Sequence, residues 1–467
     1  MGEHRVNRRR IQVPAGILLL VSIALPEASC AATPAGAEGL ALVRLSGTPE
    51  EVGKTWGEMN KPAIEHDFRV LYLKQAAATG ISAATLIERS REWVRIAGEI
   101  APHWLVEARA IARAAGVDEE LYVSFIAGKV RNLFLNECTS YAVSRKHAKG
   151  GAILFHKTRD NEDRPQAAFV LESSLEGINK FIAVTDASVI GCSMMVNDKG
   201  LAGAADYPAH LTRKNDSEAA RQLQPFPLPQ PAEPRYRGMM SGALLRHIAE
   251  TASSCREARE IIEDFVSRGY WAGGGVNGSH WLFVDRTGTI LEVSNNTRHV
   301  VSQVHEQKVY FSRFVDGAAA RQLRESDGPV DFGLFHGVAR DRSLCFKSSI
   351  SGMTAEIDPH HPDLLTCAWV TLPVRAISFP ILMGQTGQPG ALLNGEAYRL
   401  GTKTEGNTRL WETLERTTHA SKESLKESVS EELAAGRRRE AAALVEQWSQ
   451  RQTEKLFEAL EQAASGK

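Results

Sequence analysis

The hydrophobic period of the chain changes at Cys138, and few features limit the choice of fold more. Upstream, between Thr85 and Ala115, the residues Leu86, Ile87, Trp93, Val94, Ile96, Ala97, Ile100, Trp104, Leu105, Ala108, Ile111 and Ala112 recur at three- and four-residue steps. That spacing predicts amphipathic helices broken near Pro102. A further helix is expected from Glu119 to about Phe134, delivering the chain to Cys138. Downstream the texture becomes short strand-like runs: Tyr141 to Val143, Ala152 to His156, Ala168 to Leu171, Phe181 to Val184, Ser193 to Asn197 and Gly200 to Ala204. Turn residues separate them, as an antiparallel sheet requires. A Pro-rich stretch from Pro225 to Pro234 reads as a surface insertion, and Ser241 to Arg268 as helix. A hairpin is expected from His280 to Ser294, turning at Asp285 to Gly288, with strands resuming at Val309. The last sixty-odd residues carry helix-period stripes (Leu425, Val429, Leu433; Ala441, Val445, Trp448) amid dense charge and read as a helical appendage. Helices, strands, helices and strands in that order imply an α+β class: a four-layer αββα sandwich with two antiparallel sheets between helical layers. No repeat of 20 to 50 residues points to a solenoid or propeller.

Composition narrows the function. The chain has 467 residues, a formal net charge of −1, and no basic run interleaved with aromatics, so a nucleic-acid surface is not expected. Arg5, Arg8, Arg9 and Arg10, an apolar run from Val13 to Leu25, and the small residues Ala28 to Ala32 read as an export signal over residues 1–32. No later stretch is long and apolar enough to predict a bilayer span. The expectation is a soluble periplasmic or secreted protein, with lipid attachment at Cys30 the less favoured variant. The six cysteines, at 30, 138, 192, 255, 345 and 367, contain no Cys-x-x-Cys pair, so no zinc or redox motif is expected. Without Cys30 an odd number remains, and Cys138 is the expected free thiol.

A thiol needs a base before it can attack a carbonyl carbon. If the backbone is cut just before Cys138, the freed α-amine, with a pKa of about 8, can serve near neutrality. Thr139 and Ser140 are placed to assist an N-to-S acyl shift, while Asp160 and Arg159 can hold the new ammonium and orient a substrate. Asp163 rivals Asp160. The bland alternative makes Cys138 a buried small hydrophobe. A Cys-His pairing through His156, His280 or His336 is disfavoured, these being read as core or surface residues. Asp358, His360, His361 and Asp363 lack a standard metal-ligand spacing, and no metal or cofactor is expected. Trp271, Trp281, Trp369 and Phe379 read either as an acyl pocket or as core; Gly273, Gly274 and Gly275 read as a loop near the site.

On the Cys-Thr-Ser opening at Cys138 and the Lys157-Thr158-Arg159-Asp160 strand, the chain resembles the acyl-coenzyme A:6-aminopenicillanic acid acyltransferase family. This is the C45 group of N-terminal-nucleophile cysteine hydrolases, with penicillin V acylase and bile salt hydrolase as relatives. The resemblance runs from about Gly47 to Tyr398 and includes Gly53 and Gly57, Gly200 to Gly203, the Ser279 to Glu292 hairpin, and Trp369 to Gly384. It implies a helical pro-segment over 33–137, a hydrolase domain over 138–402 with an insertion at 210–236, and a C-terminal extension over 403–467. It implies Cys138 as nucleophile and new N-terminus, Ser140 as aid to self-cleavage, Asp160 as holder of the α-amine, and Lys157 or Arg159 facing substrate. Where the family places an oxyanion asparagine this chain reads Ser312, Arg313, Phe314; Ser312 can donate one hydrogen bond, and Asn295 or Asn296 can supply the missing amide. The implied activity is amide cleavage or acyl transfer on a small N-acyl substrate, with the two cleaved chains staying together. A dipeptidase of the related C69-like cysteine peptidases and a non-catalytic binding protein on the same fold are the alternatives.

Overall fold

The computed structural model describes residues 41–128, 138–160, 164–206, 238–271, 278–346, 348–371, 376–387 and 389–466. Among the described residues fourteen strands form two sheets. They are β1 (Ala41–Gly47), β2 (Cys138–Val143), β3 (Ile153–Asp160), β4 (Gln166–Ser173), β5 (Phe181–Asp186), β6 (Met194–Asn197) and β7 (Leu201–Asp206). They continue with β8 (Gly278–Asp285), β9 (Ile290–Asn296), β10 (Val300–His305), β11 (Val309–Phe311), β12 (Ser349–Ile357), β13 (Cys367–Thr371) and β14 (Phe379–Leu382). One sheet has the order β1, β4, β5, β6, β7, β8, β9, β10; the other has β11, β2, β3, β12, β13, β14.

Alternation along the strands builds the layers. Ala168, Val170, Ile182, Val184, Ala202, Ala204, Leu282 and Val284 of the first sheet meet Ala142, Phe155, Met353, Ala355 and Val370 of the second, forming the core between the sheets. The intervening residues Phe169, Ala183, Met195, Trp281 and Phe283 face outward onto the helices. Those helices are Pro49–Met59, Ala83–Ile100, His103–Ala115, Ser241–Thr251 and Cys255–Ser267. The outer face of the second sheet, carrying Tyr141, Val143, Leu154 and Trp369, packs against another helical layer. The architecture is therefore the expected αββα sandwich. One edge departs from expectation: β1, from upstream of Cys138, pairs parallel to β4, so the larger sheet is mixed.

Two local features explain the upstream helices. Thr48 closes a capping box with Glu51 at the start of Pro49–Met59. Gly53 and Gly57 then let that helix lie tight on His103–Ala115: a Cβ at Gly53 would overlap the Glu107 carbonyl, and one at Gly57 would sit 2.7 Å from that of Ile111. Downstream, the helix expected over 241–268 is two, because Ser254 caps the second by accepting from Glu257 N–H.

The expected C-terminal appendage is instead part of the fold. Helices Thr408–Ala434 and Arg438–Ala464 bury Trp411, Leu425, Val429, Val445, Trp448, Leu456 and Leu460. Glu415 ties this layer inward, accepting from the Ser378 backbone N–H at 2.8 Å and from Arg340 Nη1 at 2.8 Å. At about 2 kcal/mol for each large apolar side chain buried, the layer's contribution rivals the whole net stability of a typical domain, ~5–15 kcal/mol. A chain ending at Lys403 is expected to lose the cooperative urea transition of the full protein; a truncated chain that melts like the full one would contradict this.

Candidate active site

Cys138 is the first residue of β2, and its register partner on β3 is Arg159; Ser140 lies opposite Lys157. Residues directly opposed across an antiparallel pair share a face. Because Ala142 and Phe155, further along the same two strands, belong to the inter-sheet core, all four side chains point between the sheets. At this end of the sandwich β5 ends with Asp186, β7 ends with Asp206 and β8 begins with Gly278. A cavity of about 280 Å³ spans these strand ends. Cys138, Lys157, Arg159, Asp186, Asp206 and Ser279 line its inner end, and Trp93, Trp104, Ala108, Ile111 and Phe125 of the upstream helices line its far wall.

Each charge in the site is held by a partner. Arg159 makes a two-pronged contact with Asp186, at 2.8 and 3.0 Å, and donates to Gln166 Oε1 at 2.9 Å. Lys157 Nζ donates to the carbonyls of Ser193, at 2.9 Å, and Ala205, and lies 3.4 Å from Asp206 Oδ1. Asp206 also accepts from Ser140 Oγ at 3.0 Å. Burial alone would raise the Asp206 carboxyl, yet Lys157, His280 and Ser312 more than offset it and hold the group well below the usual carboxylate range. Burial pushes the Cys138 thiol up; the charges of Lys157 and Arg159 oppose this, while Asp206 and, more weakly, Asp160 reinforce it. The thiol of the intact chain is thus protonated at neutral pH and needs a base to become a nucleophile.

The expected site residues fall into two groups. Cys138, Ser140, Lys157 and Arg159 come together as described. Asp160 alternates to the face of β3 opposite Lys157 and Arg159, and one of its carboxylate oxygens accepts from Ser349 Oγ on β12. Its rival Asp163 lies outside the described residues, as do Gly273 to Gly275 and the insertion at 210–236. The Ser312 oxygen accepts from Ser140 N–H at 2.8 Å, while Ser312 N–H donates to Ser140 O at 2.8 Å. Ser312 therefore extends the pairing of β11 with β2. Asn296 sits opposite Gly278, and its Oδ1 accepts from the backbone N–H groups of Arg298 and His299, both at 2.8 Å, capping the β9–β10 turn. Asn295 Oδ1 accepts from Trp281 Nε1 at 2.7 Å. Both amide oxygens thus serve the sheet.

Trp281, Trp369 and Phe379 are core, and the aromatic wall of the cavity comes from Trp93 and Trp104 instead. Asp358 accepts from the backbone N–H groups of His360 and His361 and pairs with Lys426 at 3.2 Å. His156 and His336 share the Thr354 hydroxyl in the outer layer, each at 2.7 Å. All five described cysteines are free thiols. Among the described residues no single helix is long and apolar enough to cross a membrane. Asp186 and Asp206 are site residues the sequence reading missed, although in Asp206 a carboxylate ending the small apolar run Leu201 to Ala205 marks a buried charge in need of a partner.

No protein-family profile and no curated protein matches the sequence. Among solved structures the chain is similar to an N-acylethanolamine-hydrolyzing acid amidase ortholog from Caenorhabditis elegans. The identity is 13%, over 48% of this chain and 94% of that one, with a TM-score of 0.33. It is also similar to penicillin V acylase from Agrobacterium tumefaciens, at 12% identity over 54% of this chain and 90% of that one, with a TM-score of 0.35. A variant of conjugated bile acid hydrolase from Clostridium perfringens aligns at 9% identity over 54% of this chain and 93% of that one, with a TM-score of 0.32.

Proposed function

We propose that the protein is an exported, self-activating cysteine amidohydrolase or acyltransferase that cleaves a non-peptide amide of a small N-acyl substrate through a thioester on Cys138. The observation that carries this reading is the placement of Cys138: the first residue of an interior strand, at the end of the sandwich where the cavity lies, opposite Arg159 and beside the Lys157–Asp206 pair. Scission between Glu137 and Cys138 would convert the Cys138 backbone nitrogen into a primary amine one carbon from the nucleophile's own Cβ. That amine takes the thiol proton as sulfur attacks the substrate carbonyl. The C–N bond then breaks, the proton passes to the departing amine, and water or a second amine resolves the thioester. Asp160, fixed by Ser349, is the carboxylate proposed to hold the new ammonium, and the Arg159 charge beside the thiol favours negative charge developing on the substrate.

A non-catalytic binding protein is the second reading, favoured by the serine at 312 where the family the chain resembles carries an oxyanion asparagine. A panel of N-acyl amides, penicillins and conjugated bile acids separates the two. The proposal expects turnover of at least one class, with a burst of released amine equal to the enzyme added. Tight binding across the panel with no acyl-enzyme by mass would support the binder.

A further inference from the structure

A row of buried polar side chains leaves the site along the inner face of the larger sheet, one from each of four neighbouring strands. Asp206 on β7 lies in register with His280 on β8. His280 Nε2 is 2.9 Å from Glu292 Oε1 on β9, and Glu292 Oε2 is 2.8 Å from His305 Nε2 on β10, the edge strand. Tyr310 of β11 closes over the middle, its hydroxyl 3.1 Å from His280 Nε2 and its ring stacked on His305 with centroids 4.2 Å apart. His280 and Glu292 are both fully buried. Apolar residues occupy the same face further along these strands, so a charged row here displaces core that Leu or Val would fill.

The end of the row nearest the nucleophile is unusual. Asp206 Oδ2 and His280 Nδ1 face each other at 3.9 Å, an ion-pair separation rather than a hydrogen bond, and neither atom has a hydrogen-bond partner among the described residues. The other Asp206 oxygen holds Ser140 and Lys157.

We propose that His280 is a positioning residue of the Cys138 site: as an imidazolium clamped between Asp206 and Glu292, it keeps Asp206 anionic and so holds Ser140 and Lys157 in place around the strand that carries the nucleophile. The proposal rests on the reading of Cys138 as nucleophile. The groups facing His280 are Asp206 from β7, Glu292 from β9, His305 from β10 and Tyr310 from β11, with Lys157 of β3 beyond Asp206. With His280 and Lys157 both cationic, the two carboxylates are matched; with His280 neutral, they outnumber the ammonium. Burial alone would lower its pKa, but Asp206 and Glu292 push it up to about 9. The clamp is therefore closed at neutral pH and opens as pH rises through about 9.

The test compares wild type, Glu292→Gln and His280→Gln, each checked for native circular dichroism, on any amide of the panel that wild type turns over. Removing one of the two carboxylates that hold the imidazolium is expected to move the alkaline limb of kcat down by about one pH unit, with KM unchanged within twofold. A residue that merely filled space would lower activity without moving the limb. His280→Gln is expected to lose at least ~10-fold in kcat at pH 7. An unmoved limb in folded Glu292→Gln protein overturns the proposal. Iodoacetamide labelling of Cys138 against pH, read by peptide mass, needs no substrate. A midpoint displaced upward in His280→Gln supports the clamp even if no amide is turned over, and an undisplaced one counts against it. Should neither variant fold, ring NMR of wild-type histidines decides: His280 protonated throughout pH 6 to 8 is expected, and a neutral His280 at pH 7 overturns the clamp.

Discussion

Replacing Cys138 with alanine is expected to abolish turnover, by at least ~10³-fold, and to leave the chain in one piece. Both effects follow from one atom. The sulfur is the acceptor in the proposed acyl shift that cuts the backbone and the attacking group in the reaction that follows. Burial raises the thiol's pKa in the uncut chain, so the sulfur attacks only as another group takes its proton, and after the cut that group is the new α-amine. The released amine is therefore essential to the account. Cys138→Ser separates the two roles: a hydroxyl retains some capacity for the acyl shift but is a poorer nucleophile, so slow scission with turnover near background is expected. The side chain is small and lines the cavity, so neither substitution should disturb packing. Intact mass and amide hydrolysis on the same samples check both outcomes, and an alanine variant that still turns over an amide would remove Cys138 from the chemistry.

The largest expected effect of a single substitution on stability lies at Arg246. Its guanidinium binds Glu107 through two nitrogens, at 2.5 and 2.8 Å, and Glu250 through Nε at 2.8 Å, all three residues buried. Glu107 precedes Cys138, whereas Arg246 and Glu250 follow it. Glu250 also reaches back to His103 at 3.1 Å and to Trp104 Nε1 at 3.0 Å. This cluster, the β1–β4 pairing and the apolar packing of the upstream helices on the larger sheet are what would keep two fragments together after a cut. Arg246→Met leaves two carboxylates buried without their cation, and breaking such a pair from one side costs about 3–5 kcal/mol. A lowered urea midpoint with unchanged slope is expected in the uncut protein, and loss of the smaller fragment on gel filtration in the cut one. The pH dependence follows from Glu250: burial opposes its ionisation, but Arg246 and His103 hold it at about 2. Since this lies below the ordinary carboxylate value, the stabilisation is full above about pH 4.5 and fades as pH falls toward 2. An Arg246→Met protein as stable as wild type at pH 7 would contradict this.

Much of the layering was legible in the sequence because it rests on local periodicity. The apolar steps from Leu86 to Ala112 correspond to helices Ala83–Ile100 and His103–Ala115, and the switch to strand texture falls at Cys138, where β2 begins. The break at Ser254 had a readable signal, a serine three residues before Glu257, but the apolar stripe on either side masked it. The parallel pairing of β1 with β4 had none, since partners more than a hundred residues apart are chosen by the finished core. The C-terminal helices looked like an appendage because charge dominates their composition; Glu415 and Lys422 are in fact buried and paired, to Arg340 and Glu356.

The same division holds in the site. Cys138, Ser140, Lys157 and Arg159 were legible because they lie on two sequential strands whose antiparallel register places them together. Asp206, His280 and Glu292 were not, because each sits on a different strand of the other sheet and acts through neighbours that only the stacked sandwich supplies. Sequence spacing carries no record of which ends of two sheets meet. Ser312 was legible only in part: its place after the hairpin suggested a donor in the site, and the tie of its oxygen to Ser140 N–H had no mark in the spacing.

The most direct measurement is the intact mass of the purified protein, with N-terminal sequencing of each species. Two non-covalently held fragments are expected, the larger beginning at Cys138 with a free α-amine. A single unbroken polypeptide that hydrolyses an amide at full rate would contradict the account.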